Sequence, residues 1–396
     1  MRVPFNYPYI TGKEVEHIKD VLHSRQLCGD GKYSRLCQTW LEEALQCPRA
    51  LLTPSGTAAL EMAALLLDIQ PGDEVIMPSF TFVSTANAFV LRGANVVFVD
   101  IREDTLNIDP LEVKKAITEK TRAVVPVHYA GVGCDMFEIA EICRNDGIAI
   151  VEDAAHAVMS KYRERPLGTF GSLAALSFHE TKNLVAGEAG ALIINDERMI
   201  ARAEIIREKG TDRSRFFRGQ IDKYRWQDLG SSYLPSELQA AFLWAQMERA
   251  EFILSARQSR WLEYHHKLAP LEEVGLVRRP IVPEPAMQNG HIYYLLAECR
   301  DTRDRLMEFL HEREIGCVFH YIPLHDAPGA EIRSRQVGDL SVTSDVSSRL
   351  LRLPLSVELT SEQIDFVVRS ICEFFEFDEN HLKDQNERFF SPVKSS

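Results

Sequence analysis

The chain has 396 residues and a formal net charge of −13, from 45 Lys and Arg against 58 Asp and Glu. Hydrophobic residues at 45% and charged residues at 26% are typical of globular proteins, which excludes a fibrous or disordered chain. The acidic balance argues against binding of nucleic acid through phosphate contacts, and an anionic substrate requires a locally positive site. The apolar run 58–67 contains Glu61 and is too short to span a membrane.

Eight cysteines are spread along the chain without a C-x-x-C pair, which argues against a zinc ribbon or a dithiol redox motif. The first residues lack the apolar core of a secretory signal. We therefore predict reduced thiols, a cytoplasmic protein and no metal site.

Between residues 50 and 195, short β-branched runs alternate with amphipathic segments such as 111–117 and 136–143. Four uninterrupted apolar runs are typical of strands covered on both faces of a parallel sheet: 74–77, 96–99, 123–127 and 148–151. This order predicts a helix–sheet–helix sandwich with a mostly parallel sheet. The runs 172–178 and 191–195 predict an added hairpin pair.

The pattern changes after residue 236. From 236 to 268 apolar residues recur every three or four positions, which predicts a long helix that links two domains. Proline-rich breaks follow at 278–285, and a second α/β segment runs from about 292 to 375. We predict a large domain over 1–250, a small C-terminal α/β domain over 251–376 and a polar, disordered tail over 377–396.

The segment Thr-Pro-Ser-Gly-Thr-Ala-Ala at 53–59 joins a short strand to an Ala- and Leu-rich helix. The free N–H groups and the positive end of such a helix bind anions, and the Thr57 hydroxyl can add to them. An ordinary helix cap explains these residues equally well in isolation. A Walker loop is excluded because no Gly-Lys-Ser or Gly-Lys-Thr follows.

Asp153 lies where the apolar run 148–151 ends, and open α/β sheets bind ligands at the carboxyl ends of their strands. A half-buried carboxylate there requires a cationic partner, although a helix cap is the simpler alternative. Lys182 follows the run 172–178 and precedes the Gly-rich turn 187–190. Desolvation makes a lysine a nucleophile or a proton carrier, whereas most single lysines are solvated surface residues.

Taken together, an anion cradle, a strand-end carboxylate and a desolvated lysine are the parts that hold pyridoxal 5′-phosphate. The cradle binds the phosphate, the carboxylate keeps the ring nitrogen protonated, and the lysine forms an imine with the aldehyde. The alternative cofactor is a dinucleotide, but its nearest fingerprint, Gly-Val-Gly at 131–133, has Met136 where a third glycine is required.

Four segments closely resemble the DegT-type sugar aminotransferases: 53–59, 78–87, 152–156 and 177–183. The resemblance extends from residue 4 to about 376. It implies the PLP-dependent transferase fold type I, an α/β/α sandwich with a smaller C-terminal α/β domain, in a homodimer or larger homo-oligomer. It also implies ping-pong transfer of the amino group of L-glutamate to the keto sugar dTDP-4-dehydro-6-deoxy-D-glucose, in amino-sugar biosynthesis for cell-surface polysaccharide.

Within this resemblance, Lys182 is the residue that forms the imine with pyridoxal phosphate, and Asp153 is the partner of the ring nitrogen. Phe82 stacks on the cofactor ring, where relatives often have an aromatic residue. His156 approaches the ring hydroxyl, a position often occupied by Gln.

The resemblance assigns the cofactor phosphate to Thr57, Ala58 and Ser177. Ser232 corresponds to a position in a turn that reaches the phosphate of the neighbouring subunit, where many relatives have Asn. Ala189 replaces a frequent glycine of the Gly-rich turn, which we interpret as a tolerated change.

Residues of the second domain are candidates for the sugar pocket, with a structural role as the alternative: His320, Tyr321 and His325. Three basic residues are candidates for the nucleotide diphosphate, but their pattern favours a solvated charged face: Arg207, Lys209 and Arg213. The sequence leaves open a keto sugar aminated at C3 or carried on UDP, and a non-enzymatic cofactor-binding sensor. A pyridoxal-phosphate sugar dehydratase is disfavoured because it requires another residue in place of Lys182.

Overall fold

The computed structural model describes residues 1–377. The predicted tail over 377–396 lies outside the described residues, apart from Phe377, which packs against the C-terminal core. The helices are α1 (Glu14–Ser24), α2 (Lys32–Leu45), α3 (Gly56–Leu66), α4 (Val83–Val90), α5 (Pro110–Ala116), α6 (Met136–Asp146), α7 (Ile200–Arg207), α8 (Arg213–Phe217), α9 (Glu237–Met247), α10 (Ala250–Lys267), α11 (Ala269–Glu273), α12 (Arg300–Glu312), α13 (Ala330–Arg333), α14 (Ser341–Arg349) and α15 (Ser361–Phe374).

Eight strands form one large sheet. Their spatial order is β1 (Arg49–Thr53), β9 (Gly190–Ile194), β8 (Leu173–Ser177), β5 (Ala149–Asp153), β4 (Thr121–Val124), β2 (Glu74–Pro78), β3 (Asn95–Val99) and β13 (Ser334–Gln336). Only β9 pairs antiparallel with its neighbours, and every other pair in this sheet is parallel. The predicted mostly parallel sheet is confirmed, and β8 and β9 form the predicted hairpin pair.

The side chains of each central strand alternate between two cores, because successive residues point to opposite faces of a sheet. In β2, Val75 and Met77 lie in one core and Ile76 lies in the other. Helices α3, α4 and α7 cover the Val75 face, whereas α2, α5, α6 and α9 cover the Ile76 face. The sheet is therefore the middle layer of a three-layer sandwich.

A smaller antiparallel sheet lies in the C-terminal part and consists of β10 (Val277–Arg278), β12 (Tyr294–Ala297) and β14 (Leu350–Arg352). Helices α10, α11, α12 and α15 pack with it around a core of their own, which includes Leu295. Helix α10 links the two cores, because Ile253 lies in the sandwich core and Tyr264 in the C-terminal core. Short strands form a third sheet: β6 (Lys161–Tyr162), β7 (Arg165–Pro166) and β11 (Ala286–Met287).

One strand of the C-terminal segment belongs to the large sheet. Strand β13 runs parallel to β3 at the edge, with Ser334 opposite Val96. The Arg335 guanidinium donates to both carboxylate oxygens of Glu74 in β2, at 2.9 and 2.8 Å. An uncovered edge strand can pair with strands of other chains. Strand β13 covers the outer edge of β3 and so protects it from such pairing. The segment 251–376 is therefore not structurally separate from the large sheet.

The predicted long helix over 236–268 is two helices, α9 and α10, which are separated at Glu248 and Arg249. Arg249 has a φ of −118° and a ψ of 15°, although neither Gly nor Pro marks this position. The Glu248 carboxylate pairs with His17 at 2.9 Å and with Lys13 at 3.6 Å, both from the N-terminal region. This tertiary contact lies at the break, and the apolar periodicity contains no signal for it.

The first residues of the chain cross to the C-terminal part. Val3 donates its N–H to the carbonyl of Glu314 at 3.0 Å and accepts the N–H of Gly316 at 2.8 Å. The carbonyl of Phe5 accepts the N–H of Leu355 at 3.4 Å. These contacts hold Phe5 close to the C-terminal sheet.

A buried carboxylate joins α9 to the start of α2. Glu237 is 2% exposed and accepts the backbone N–H groups of Gly31, Tyr33 and Ser34 at 3.0, 2.8 and 3.1 Å, together with the Ser34 hydroxyl. These N–H groups lie at the positive end of α2, where a helix stabilises an anion. Glu237 is therefore a long-range cap for a helix that has no side-chain cap of its own.

We expect Glu237→Ala to lower the free energy of unfolding by about 3 kcal/mol, because several buried donors lose their acceptor. Urea denaturation followed by circular dichroism measures this change. Glu251→Ala, at an exposed position of α10, is the matched control and should cost less than about 0.5 kcal/mol. Equal losses in the two variants would contradict the capping role.

Candidate active site

A cavity of about 770 Å³ lies where β5 and β8 end and α3 begins. Residues near β12 and β14 form its opposite wall. Open α/β sheets bind ligands at this edge. The cavity brings together most of the residues singled out in the sequence: Thr57, Phe82, Asp153, His156, Ser177, Lys182, His320 and Tyr321.

The N-terminus of α3 forms an anion cradle. Ser55 caps the helix, and its hydroxyl accepts the N–H of Ala58 at 3.1 Å. Within residues 1–377 the backbone N–H groups of Gly56 and Thr57 have no acceptor. A Cβ added to Gly56 would lie 3.0 Å from the Cβ of Ser177, so glycine allows β8 to approach. The free N–H groups are suited to a phosphate, whereas the N–H of Ala58, a residue predicted to bind the phosphate, donates to Ser55.

Asp153 ends β5 as a buried carboxylate at the cavity wall. One carboxylate oxygen accepts the Thr85 hydroxyl at 2.7 Å, and the other accepts the N–H of Ala155 at 3.2 Å. These bonds fix the orientation of the carboxylate toward the cavity. The carboxylate can therefore accept a hydrogen bond from a protonated ring nitrogen of a ligand.

The neighbouring Glu152 points to the other face of the sheet and is fully buried. It accepts the N–H groups of Gly168, Phe170 and Gly171 at 2.8, 2.6 and 2.7 Å. His128 Nδ1 accepts the Cys134 N–H at 3.2 Å, so Nε2 carries the proton and donates to Glu152 at 2.9 Å. Glu152 therefore stabilises the fold, and only the second carboxylate of the pair is available to a ligand.

Lys182 lies in the turn after β8, where its N–H donates to the carbonyl of His179 at 2.9 Å. Within the described residues its ammonium group has neither a hydrogen bond nor an ion pair. The pKa of Lys182 is lowered to about 8, and burial is the main cause. The Asp153 carboxylate acts in the opposite direction and raises this pKa, whereas the positive charge of Arg352 lowers it further. A substantial neutral fraction near physiological pH makes this amine a nucleophile and a proton carrier.

Neutral aromatic and imidazole rings form the wall opposite Lys182. His156 Nε2 lies 3.3 Å from the Tyr321 hydroxyl, and His320 Nδ1 lies 2.7 Å from the Tyr129 hydroxyl. His156 Nδ1 is buried with no partner in the described part of the chain. Burial, with the nearby positive charges, holds the pKa values of His156, His291 and His320 well below the usual range.

Phe82 presents an apolar face to this cavity. The residue precedes α4 and is 57% exposed, which is unusual for a phenylalanine that lines a cavity. A flat ligand ring placed between Phe82 and the opposite wall would cover this surface.

The structure places two other singled-out residues, Ser232 and His325, away from the cavity. Ser232 lies in an exposed turn that bridges to Glu208. His325 is bound to Ser79, at 2.7 Å from its hydroxyl, and lies 3.4 Å from the Ser344 hydroxyl.

Arg207 does not belong to the favoured solvated face. It is 3% exposed, pairs with Asp30 at 2.8 Å and donates to the carbonyl of Leu52 at 2.8 Å. Buried guanidinium groups require such partners. The other two basic residues lie near Glu208, with Lys209 at 3.6 Å and Arg213 at 3.7 Å.

Sequence reasoning missed His291, which lines the cavity, and Asn183, which contacts His291. Asn183, directly after Lys182, accepts a hydrogen bond at its Oδ1 from His291 Nδ1 at 2.8 Å, and its Nδ2 donates to the carbonyl of Asn289 at 2.9 Å. His291 in turn lies against His156, with ring centroids 4.4 Å apart. These partners are more than a hundred positions apart in the chain, so spacing gives no signal for them.

The family model of the DegT/DnrJ/EryC1/StrS aminotransferases matches residues 8–372. The chain belongs to this family. It is 32% identical over 380 residues to the spore coat polysaccharide biosynthesis protein SpsC of Bacillus subtilis (strain 168), an alignment that covers 93% of this chain and 96% of SpsC.

Solved structures of aminotransferases share the fold of this family member. DesV of S. venezuelae, solved in complex with a ketimine intermediate, has a TM-score of 0.85 and 30% identity, covering 96% of this chain and 100% of DesV. The aminotransferase TlmJ of Streptoalloteichus hindustanus has a TM-score of 0.86 and 27% identity, covering 94% of this chain and 99% of TlmJ. The predictions of fold type I, of an aminotransferase and of pyridoxal phosphate as its cofactor are confirmed.

Among residues 1–377, none of the helices combines the length and apolarity needed to cross a membrane. In the same range, no cluster of His, Cys, Asp or Glu is arranged to hold a metal ion.

The pKa of Lys182 is testable in the protein freed of cofactor. The neutral amine is the form that reacts with an acylating reagent, so trace labelling of Lys182 should rise with pH around a midpoint of about 8. In the urea-unfolded chain the midpoint should return to about 10.4. Mass spectrometry of the labelled peptide measures both values.

Asp153→Asn provides the control for the same titration. Removing this carboxylate removes the influence that raises the lysine pKa, so the midpoint in the folded variant should fall below that of the wild type. A folded-state midpoint equal to the unfolded one would show that Lys182 is solvated.

Proposed function

We propose that the chain transfers the amino group of L-glutamate to dTDP-4-dehydro-6-deoxy-D-glucose, giving dTDP-4-amino-4,6-dideoxy-D-galactose and 2-oxoglutarate. The main support is one cavity that contains Lys182, Asp153 and the N-terminus of α3 in a member of an aminotransferase family. The choice of keto sugar depends on segments that resemble the transaminase forming this product: 27–31, 205–211, 230–234 and 320–325.

The residues of the cavity fit pyridoxal 5′-phosphate. When bound, this cofactor supplies an electron sink that makes a C–H bond beside the substrate nitrogen acidic. Thr57 and Ser177, with the free N–H groups at the start of α3, would hold its phosphate. Asp153 would hold the proton of its ring nitrogen, and Phe82 would cover one face of the ring.

His156 is proposed to lie near the ring hydroxyl of the cofactor. Its orphaned Nδ1 is a buried polar atom in need of a partner, and a ligand in the cavity would supply one. Because the imidazole is kept neutral by burial, it can donate or accept at this position without adding charge.

Lys182 is proposed to form the covalent bond to the cofactor and, once displaced by a substrate amine, to move the proton. A general base works best when its pKa lies near the working pH, and the pKa of Lys182 is about 8. Positioned proton transfer of this kind contributes about 10²–10⁴-fold to the rate.

The sugar is proposed to bind against His320 and Tyr321. Both side chains are neutral and line the cavity, and neutral donors and acceptors suit sugar hydroxyls. His325 is bound to Ser79 and does not line the cavity.

A second copy of the chain is proposed to cover an exposed apolar surface around the turn of Ser232. Phe217, Trp226 and Leu229 are 68%, 80% and 52% exposed, which is typical of an interaction surface. Ser232 lies just beyond them and away from its own cavity. A homodimer would bring this turn toward the cofactor phosphate of the neighbouring subunit.

We propose a cytoplasmic location for the reaction, as part of amino-sugar supply for cell-surface polysaccharide. All eight cysteines are free thiols, and disulfides are rare in the reducing cytoplasm.

A panel of dTDP- and UDP-linked keto sugars tests the proposed substrate. With L-glutamate as donor, we expect 2-oxoglutarate to form fastest with dTDP-4-dehydro-6-deoxy-D-glucose, and NMR of the product should show the amino group at C4 with galacto configuration. Faster amination of a keto sugar at C3, or of a UDP-linked sugar, would contradict the proposed substrate and identify another. Absence of any amino transfer would favour a cofactor-binding sensor.

Lys182→Ala should abolish turnover and the visible absorbance of the bound cofactor in the same assay. Lys161→Ala is the matched control, because Lys161 lies on β6 outside the cavity, and should leave both unchanged. Retained turnover in Lys182→Ala would refute the assigned role.

If the exposed apolar surface is the dimer interface, a charge placed in it should weaken the dimer. Trp226→Glu places a charge in an apolar interface, so sedimentation velocity should show a shift from dimer to monomer. Leu111→Glu changes a residue that is 59% exposed elsewhere on the protein and should leave the assembly as in the wild type. Dimers of unchanged stability in Trp226→Glu would place the interface elsewhere.

A further inference from the structure

Two arginines line the cavity, and neither forms an ion pair within residues 1–377. Arg257 is 5% exposed and donates to the carbonyls of Gly290 and His291 at 3.0 and 2.9 Å. These bonds hold the loop before β12, so Arg257 has a structural role. Arg352 is different because most of its donors are unused.

Arg352 is the last residue of β14 and is half-buried. Its backbone pairs with Val318, and its Nε donates to the carbonyl of Phe319 at 3.3 Å. The guanidinium lies 4.9 Å from the centre of the Phe5 ring, in the range of a cation–π contact. These contacts fix the stem and one edge of the group. Its two terminal nitrogens have no partner in the described residues.

The charge of Arg352 acts on the reacting end of the cavity. It contributes to lowering the pKa values of Lys182, His156, His291 and His320. The cavity therefore has a positive centre in a chain whose net charge is −13. Such a local field is what an anionic substrate requires in an acidic protein.

We propose that Arg352 binds a carboxylate of the amino donor through its two free nitrogens. This inference rests on the proposed function, in which the donor is L-glutamate. A guanidinium matches a carboxylate as a planar, bidentate pair. The keto sugar has no carboxylate, so this contact would serve only the donor half of the reaction.

The diphosphate of the nucleotide sugar is the competing anion for Arg352. In glutamate the carboxylates lie one to three carbons from the carbon that bears the reacting nitrogen. In the sugar nucleotide the diphosphate is attached across the hexose ring from C4. Because Arg352 lines the same cavity as Lys182 and Asp153, its position favours the anion closer to the reacting atom.

Glutarate tests the inference, because it has both carboxylates and no amine to react. Its Kd for the cofactor-loaded enzyme can be measured by titration calorimetry, with dTDP as the probe for the sugar-nucleotide side. We expect Arg352→Gln to raise the Kd for glutarate about 10- to 100-fold and to leave the Kd for dTDP unchanged. Arg300→Gln, at a surface arginine whose side chain is 75% exposed, should match the wild type.

Arg352→Lys keeps the charge but loses the planar fork, so its Kd for glutarate should lie between those of the wild type and Arg352→Gln. This variant also decides the matter if Arg352→Gln does not fold. A glutarate Kd equal to that of the wild type in the folded arginine variants overturns the inference, as does a loss confined to dTDP. If the wild type transfers no amino group from glutamate, the proposed function fails, whatever the variants show.

The steady-state constants give an independent measurement. Loss of a donor contact should raise the KM for L-glutamate in Arg352→Gln and leave the KM for the keto sugar close to that of the wild type. A general distortion of the cavity would raise both constants and would contradict a role specific to the donor.

Discussion

The candidate site depends on the partial burial of one amine, that of Lys182, in an acidic protein. An ammonium at Lys182 would be stabilised by the nearby Asp153 carboxylate, and burial overcomes this attraction. The Asp153 oxygens each accept one hydrogen bond, from Thr85 and Ala155, which fixes the orientation of the carboxylate, and within residues 1–377 it forms no ion pair with the amine. The lysine therefore remains free of a salt bridge and keeps a lowered pKa, which is the property that covalent chemistry at an amine requires.

The sheet makes this arrangement possible through its alternation of side chains. Glu152 and Asp153 are adjacent in β5 and point to opposite faces, so one carboxylate holds the fold and the other faces the cavity. The N-terminus of α3 and the end of β8 reach the same edge because Gly56 allows close contact with Ser177. Local geometry thus converts three separate segments of sequence into one site.

Sequence reasoning succeeded where a signal is local. The apolar runs of the central strands predict a parallel sheet, and strand-end residues such as Asp153 and Lys182 can be found by position alone. The cavity positions of Arg352 and His291 depend on how the C-terminal part folds back, which no spacing encodes. Residue type alone is also a poor guide to a site. Arg207 and His325 carry polar side chains of the kind that bind ligands, but they form hydrogen bonds within the fold.

The two ends of the chain are interlaced with the opposite halves of the fold. Val3 and Phe5 pair with the C-terminal part, while β13 completes the sheet built by the N-terminal half. A fragment that stopped before residue 334 would expose the outer backbone groups of β3, an invitation to self-association. The same fragment would also lack three residues of the cavity wall, Arg352, Leu353 and Leu355, so neither half can be engineered as an autonomous module.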